Sequence, residues 1–385
     1  MVRTRYTNPF FIISDIPEAY FCDRKPETAE LMGNIRNGRN TVLIAPRRIG
    51  KSGLIYHCFR QREICRDYKT FFVDIYATSS LQEFVFLLGK QIFDGLKGTG
   101  GKFLERFVSV VASLRTAVKF HPVTGAPSFD IGLGEIKQPE TSLEEIFNYL
   151  ETAPKPCVVA IDEFQQIAKY SEKNVEALLR SYIQKCRNTV FIFSGSQRHL
   201  IRQMFTSASK PFYSSAALLE LDPIAPDEYE KFVRAHFSAA GKALEAGCFR
   251  RIYEMFEGRT WYIHFLLNKL YEVAEAGGTV RAEEADQVLH HLVDAQKASF
   301  QDVLEALPIK QKELLFAIAK AGKAREITSE DFITRHGLSS ASSVQAAVKQ
   351  LLAKDLVTKQ GAVHEVEDRF LSLWISDRYG SGYIL

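Results

Sequence analysis

The sequence predicts an α/β fold: a parallel sheet with a loop-and-helix motif at its centre, then a helical segment, then a small domain of three helices and a two-stranded turn. Three observations predict it. The run Thr41-Val42-Leu43-Ile44 breaks into Ala45-Pro46-Arg47-Arg48-Ile49-Gly50-Lys51-Ser52 and resumes as a helical pattern from Gly53. Far downstream, Cys157-Val158-Val159-Ala160-Ile161 is an apolar run that ends in two adjacent carboxylates, Asp162 and Glu163. Beyond Asp222-Pro223-Ile224-Ala225-Pro226 the strand signals give way to helical periodicity.

Residues 1 to about 222 read as one α/β domain. Asp23 is placed to cap a helix over 24–37, with Pro26 and Glu27 in its first turn. Five apolar strands follow at 41–45, 69–76, 157–162, 189–194 and 217–221, with helical patterns between most of them. The exception is about 98–140, which Gly98-Thr99-Gly100-Gly101 opens as a turn-rich segment. There, 116–121 and 128–133 flank a Pro- and Gly-containing stretch and read as a β-hairpin inserted before the strand bearing Asp162. This insertion is either a partner-binding element or a plain surface excursion. From 223 to 305 the pattern is helical: Asp227 starts one helix, and Phe256-Glu257-Gly258-Arg259 separates two more. From 306 to 385, helices at 309–321, 329–335 and 341–353 lead into a two-stranded turn over 356–366, the pattern of a winged helix.

The first motif has the layout of a phosphate-binding P-loop. Backbone N–H groups and a helix N-terminus face the anion, Lys51 reaches the terminal phosphates and Ser52 ligates Mg²⁺. Residues 45–53 (Ala45, Pro46, Arg47, Arg48, Ile49, Gly50, Lys51, Ser52 and Gly53) are thus the candidate nucleotide-binding loop. One position departs from G-x-x-x-x-G-K-[ST]: the first glycine is Ala45, which must accept the backbone conformation glycine would supply there. In a parallel sheet buried on both faces, ligands bind beyond the carboxyl ends of the strands. Asp162 therefore emerges beside the loop, suited to hold Mg²⁺, and Glu163 is suited to polarise an attacking water.

Length and composition bound the rest. At 385 residues the chain exceeds the usual size of a single core, so two or three domains are expected. A formal charge of +3 does not by itself argue for nucleic acid. The six cysteines form no CxxC pair and read as reduced core residues, not as a disulfide frame or a zinc site. There is no signal-peptide-like start and no run of about twenty apolar residues, so a cytoplasmic protein that does not enter a membrane is expected.

With these motifs in place, the chain resembles the archaeal-type ATPase family of the AAA+ and STAND superfamily, relatives of the origin-recognition ATPases. The resemblance spans nearly the full length. It rests on Phe21-Cys22-Asp23-Arg24, the P-loop, Asp162-Glu163, Phe193-Ser194-Gly195-Ser196, Gly258, and Glu367-Asp368-Arg369-Phe370-Leu371-Ser372-Leu373-Trp374-Ile375. It implies a P-loop NTPase sheet in the order 5-1-4-3-2, a helical lid over 223–305 and a C-terminal winged helix over 306–385. It implies ATP and Mg²⁺ as ligands and hydrolysis to ADP and phosphate. Ser196 falls at the polar sensor position near the γ-phosphate, and Ile16-Pro17 with Phe21 to Arg24 would line an adenine pocket, although plain core packing accounts for Phe21 equally well. Family members often carry an arginine before the fifth strand, placed to act on a nucleotide. Here the stretch is Lys210-Pro211-Phe212-Tyr213-Ser214-Ser215-Ala216, without one. Arg198, Arg202 or Lys210 would have to substitute, and slow basal hydrolysis is expected. Arg259 reads as a solvated arginine at a helix start, with a second sensor as the alternative.

Rival functions separate on residues. A GTPase would need Asn-Lys-x-Asp at a strand end, and Asn268-Lys269-Leu270-Tyr271 lacks the Asp. A small-molecule kinase would leave the winged helix unexplained. The main alternative is a DNA-binding regulator with ATP as effector. However, residues 308–385 carry eleven Lys/Arg against nine Asp/Glu, and the third helix, 341–351, has one cation, Lys349. Ser and Gln side chains could still read bases there. Arg60, Arg62 and Arg66 read as a solvated helix face. A nucleotide-controlled switch acting on a protein partner, or through self-association, is the leading expectation.

Overall fold

A computed structural model of the chain describes residues 8–13, 15–97, 101–111, 113, 118–120, 127–129 and 136–379. The chain falls into two compact units. One holds Phe11–Tyr229 and Gly258–Trp261, the other Glu230–Glu257, Tyr262 onward and the described residues up to Phe10.

In the first unit, α1 (Lys25–Arg36) leads to β1 (Thr41–Ile44), α2 (Lys51–Arg60), α3 (Arg62–Asp67), β2 (Lys69–Asp74) and α4 (Leu81–Leu96). Next come α5 (Gly101–Val110), the short strands β3 (Val118–Phe120) and β4 (Pro127–Phe129), and α6 (Pro139–Thr152). The unit continues with β5 (Cys157–Asp162), a 3-10 helix (Phe164–Lys169), α7 (Val175–Lys185), β6 (Thr189–Gly195), α8 (Arg198–Thr206) and β7 (Ala217–Glu220). The five main strands form one parallel sheet ordered β2-β5-β6-β1-β7. Counting only those strands, that is the expected 5-1-4-3-2.

Alternation decides the layers. On β5 and β6, Val159, Ile161, Phe191 and Phe193 face one core, made with α4, α6, α7 and α8. Val158, Ala160, Val190 and Ile192 face the other, made with α1 and α2. Every residue of β1, β5 and β6 is buried, so between their polar ends the strands read as apolar runs.

Two local expectations are corrected and a third holds. α1 is not capped by Asp23: the N-cap is Arg24, left-handed at φ 64 and without a side-chain cap. Its guanidinium is turned inward instead, to Glu27, the Asp222 carbonyl and the Ile49 carbonyl. The segment 98–140 is not simply turns, because α5 forms there and buries Phe107 edge-on against Tyr149 of α6. Its apolar residues, Phe103, Leu104, Phe107, Val108 and Val111, recur at helical spacing. The expected hairpin forms, pairing Val118–Phe120 with Pro127–Phe129; 116–117, 121–126 and 130–133 lie outside the described residues.

The second unit contains α9 (Pro226–Ala239) from Glu230, β8 (Ala243–Leu244), α10 (Cys248–Met255) and α11 (Thr260–Val273) from Tyr262. It continues with β9 (Thr279–Val280), α12 (Ala282–Asp294) and α13 (Lys297–Glu305). β8 and β9 pair in parallel, two two-residue interruptions of the expected helical stretch. α14 (Ile309–Ala321), α15 (Glu330–Arg335) and α16 (Ala341–Ala353) then meet the antiparallel pair β10 (Val357–Gln360) and β11 (Val363–Val366), followed by α17 (Arg369–Tyr379). Phe370 packs against Phe256, Tyr262 and Phe265, and Trp374 against Phe300. The buried Arg369 binds Glu257 and Glu365.

Candidate functional site: the P-loop and the carboxylates of β5

Parallel register gathers the site at one end of the sheet. Asp74 of β2 lies level with Asp162 of β5, and Gly195 of β6 level with Ile44 of β1. The loop that leaves β1 therefore runs beside the acidic end of β5.

Ala45 is buried and has no positive φ, so alanine fits where the motif usually has glycine. The left-handed positions are Arg48, at φ 63, and Gly50, at φ 98. Arg48 is held there on two sides: its carbonyl accepts from the Trp261 N–H at 3.0 Å, and its guanidinium stacks 4.5 Å over the Trp261 ring. The Ile49 carbonyl takes Arg24 and the Thr260 hydroxyl, each at 3.3 Å. Gly50 caps α2, Lys51 is buried with its ammonium 3.3 Å from the Pro46 carbonyl, and Gly53 is buried in the first helical turn.

Asp162 meets this loop directly. The Ser52 hydroxyl donates to Asp162 Oδ2 at 2.7 Å, across 110 residues of sequence. Asp162 Oδ1 accepts from Ser194 at 2.5 Å and from the Glu163 N–H at 3.0 Å. A hydroxyl and a carboxylate side by side are hard oxygen donors, the set that suits Mg²⁺ with its remaining positions filled by water or phosphate. Burial, together with the charges of Asp162 and Glu163, raises the pKa of Asp74, against the pull of the Tyr76 N–H. Burial and the charges of Asp162 and Asp74 raise the pKa of Tyr56.

Glu163 occupies a left-handed position, φ 57, at the start of the 3-10 helix. Three donors converge on its Oε2: Gln165 Nε2 at 2.5 Å, the Ser196 hydroxyl at 2.7 Å and the Ser196 N–H at 3.3 Å. The Ser196 hydroxyl in turn accepts from Arg47 Nε at 3.0 Å. The Gln165 amide packs so closely over Gly195 that a Cβ there would lie 2.1 Å from its Oε1.

The predicted residues are thus brought together around the loop, with the exception of Phe21. Phe21 lies flat on the His57 ring of α2, 4.0 Å between centroids, and packs against the core made with α1 and α2. Arg24 braces the loop from within. Arg259 is buried, not solvated, at 7% exposure. Arg198 and Arg202 both reach Glu220, and Lys210 reaches Glu176. Arg60, Arg62 and Arg66 are exposed, the solvated face expected of them, with Arg60 tied to Asp15 and the Ile16 carbonyl. Sequence reasoning missed Ser194, Gln165, Thr260 and Trp261. The signals available were a hydroxyl in an otherwise apolar strand and a glutamine two residues beyond the acid pair.

All six cysteines are free thiols; Cys22, Cys58, Cys157 and Cys248 are buried as a core role predicts, whereas Cys186 is half-buried and Cys65 exposed, and burial raises Cys22, Cys58 and Cys157 to about 12. Among the described residues no helix is long and apolar enough to cross a membrane.

A family model described as an ATPase domain predominantly from Archaea matches residues 21–266, and one for a probable winged helix domain matches 298–377. Among solved structures, the fold is similar to the Walker-type ATPase of Pyrococcus abyssi, with TM-score 0.65 and 15% identity over 96% of this chain and 100% of that one. It is also similar to the ORC1 protein of Aeropyrum pernix, solved in complex with DNA (TM-score 0.52, 12% identity, 97% of each chain). The ORC2 protein of the same organism, in ADPNP–ADP complexes, gives TM-score 0.51 and 14% identity over 93% of this chain and 96% of that one. No curated protein matches the chain.

Proposed function

Given that the chain belongs to the family of ATPase domains found predominantly in Archaea, we propose that it binds ATP with Mg²⁺, hydrolyses it slowly and works as a nucleotide-controlled switch of AAA+/STAND type, through a protein partner or self-association. The observation that carries this reading is the 2.7 Å bond between Ser52 of the loop and Asp162 of β5. It joins the two halves of a phosphate–metal site far apart in sequence.

In this reading the N–H groups of 45–53 and Lys51 hold the phosphates, and Ser52 with Asp162 would hold Mg²⁺. The bound cation supplies charge neutralisation at the phosphates. Glu163 orients and deprotonates the attacking water, and Ser196 and Gln165 fix its carboxylate. The strained backbone at Arg48 and Glu163 presets the loop and the base. Arg24, Thr260 and Trp261 act as positioning residues for the loop. Phe21 and His57 offer an aromatic face for the adenine, and residues 223–305 and 306–385 serve as lid and winged helix.

The test is Lys51→Ala. ATP and ADP affinity, by calorimetry, should fall roughly ten- to hundredfold with the circular-dichroism spectrum unchanged. Unaltered affinity in the folded variant would remove the proposal's foundation.

A second reading, DNA binding by the winged helix, draws support from the winged-helix match at 298–377 and from exposed Ser342, Gln345 and Lys349 on α16. Salt-sensitive stimulation of turnover by duplex DNA would favour it.

A further inference from the structure

The phosphate side of the site has a guanidinium that neither the loop motif nor the acid pair requires. Arg47 is half-buried in the loop, and its Nε donates to the hydroxyl of Ser196, which donates onward to the carboxylate of Glu163. Ser52 and Asp162 mark the metal side of the site, and Glu163 marks the side from which water attacks. The terminal phosphate must lie between them and Lys51. Arg47, bonded to the neighbour of Glu163, stands on that same side.

We propose that Arg47 is the cation on the terminal phosphate, supplied in cis by the P-loop itself, and that it takes the place of the arginine missing before β7. The inference rests on the ATP-binding reading above. The three cations that stood to substitute for that arginine each reach a carboxylate. Arg198 and Arg202 reach Glu220, at 3.7 and 2.7 Å, and Lys210 reaches Glu176 at 3.4 Å. A guanidinium carries five donors in a planar fork, so one can hold Ser196 and a phosphate oxygen together. In the transition state the charge on the transferring group spreads over its outer oxygens, where a fixed cation acts most strongly. Because the charge comes from the same chain, the site is complete in one subunit.

The experiment compares wild type, Arg47→Ala, Arg47→Lys and Ser196→Ala for binding of ADP and of a slowly hydrolysed ATP analogue, and for turnover. Arg47→Ala should keep ADP affinity, lose roughly ten- to hundredfold in affinity for the analogue and lose turnover, with Arg47→Lys recovering part of the binding. Ser196→Ala should retain the preference for the analogue over ADP, since it leaves the guanidinium in place. Wild-type turnover per subunit should not change with protein concentration. An unchanged analogue-to-ADP preference in Arg47→Ala, or the same loss of preference in Ser196→Ala, would overturn the assignment. So would turnover that climbs with concentration. A wild type that binds neither nucleotide would instead sink the ATP-binding reading itself.

Discussion

The end of β5 and the exposed face of α16 are both polar, yet they are built in opposite ways. At β5 the polar groups are buried or half-buried and bind one another: Asp162 takes Ser52, Ser194 and a backbone N–H, and Glu163 takes Ser196 and Gln165. On α16 the outward residues Ser342, Gln345 and Lys349 are exposed, while Val344, Ala347 and Leu351 hold the helix to its core. One of the serines there is already engaged in capping, Ser340 accepting from the Ser343 N–H at 3.2 Å. Buried polar groups are costly unless satisfied, so a dense network persists only where the whole fold holds it. An exposed row of Ser and Gln has no such cost and implies no ligand by itself.

The contrast can be tested from its strongest side down. Glu163→Gln keeps the shape and loses the base, so ATP should remain bound while turnover falls by roughly 10²–10⁴-fold. Hydrolysis equal to wild type would remove Glu163 from the chemistry. Gly195→Ala forces a Cβ into the Gln165 amide, and overpacking of this kind should cost about 1–3 kcal/mol by denaturant unfolding. Adding Gln165→Ala should recover much of that stability, because the clash partner is then gone. If the double variant is as unstable as the sum of the two, the close approach is not what fixes glycine at 195.

The α16 side predicts small effects. Lys349→Ala should leave nucleotide binding and turnover unchanged, and duplex DNA should not stimulate turnover at any salt concentration. Stimulation that fades steeply with salt would reverse the comparison and promote the DNA reading. The smallest effect concerns Asp74, whose carboxyl is held above its ordinary pKa by burial and by Asp162 and Glu163. A carboxyl raised in the folded state stabilises the fold while protonated, and that contribution is lost as pH rises through the raised value. Asp74→Asn should therefore melt slightly higher than wild type at pH 7, and the difference should vanish below about pH 4. A lower melting temperature at pH 7 would mean that the charged form is favoured there.

Much of this was legible before any coordinates. The five strands, the loop, the acid pair and the three winged-helix helices are local patterns, because an apolar run or a helical repeat needs only its own neighbours in sequence. Asp23 failed as a cap for an equally physical reason: the inward pull of three partners on Arg24 sets the backbone there, overriding local preference. The helix at 101–110 was hidden by the glycines that precede it.

The sequence by itself determined which residues could bind phosphate and metal and on which strands they stood. Only the tertiary structure decided that Arg47, Ser196, Gln165 and Glu163 would meet, that Ser194 would complete Asp162, and that Thr260 and Trp261 would set the loop. Those meetings depend on which strands lie side by side and in what register. Parallel strands are joined by crossovers, so neighbours in the sheet are remote in sequence and no short-range pattern records them.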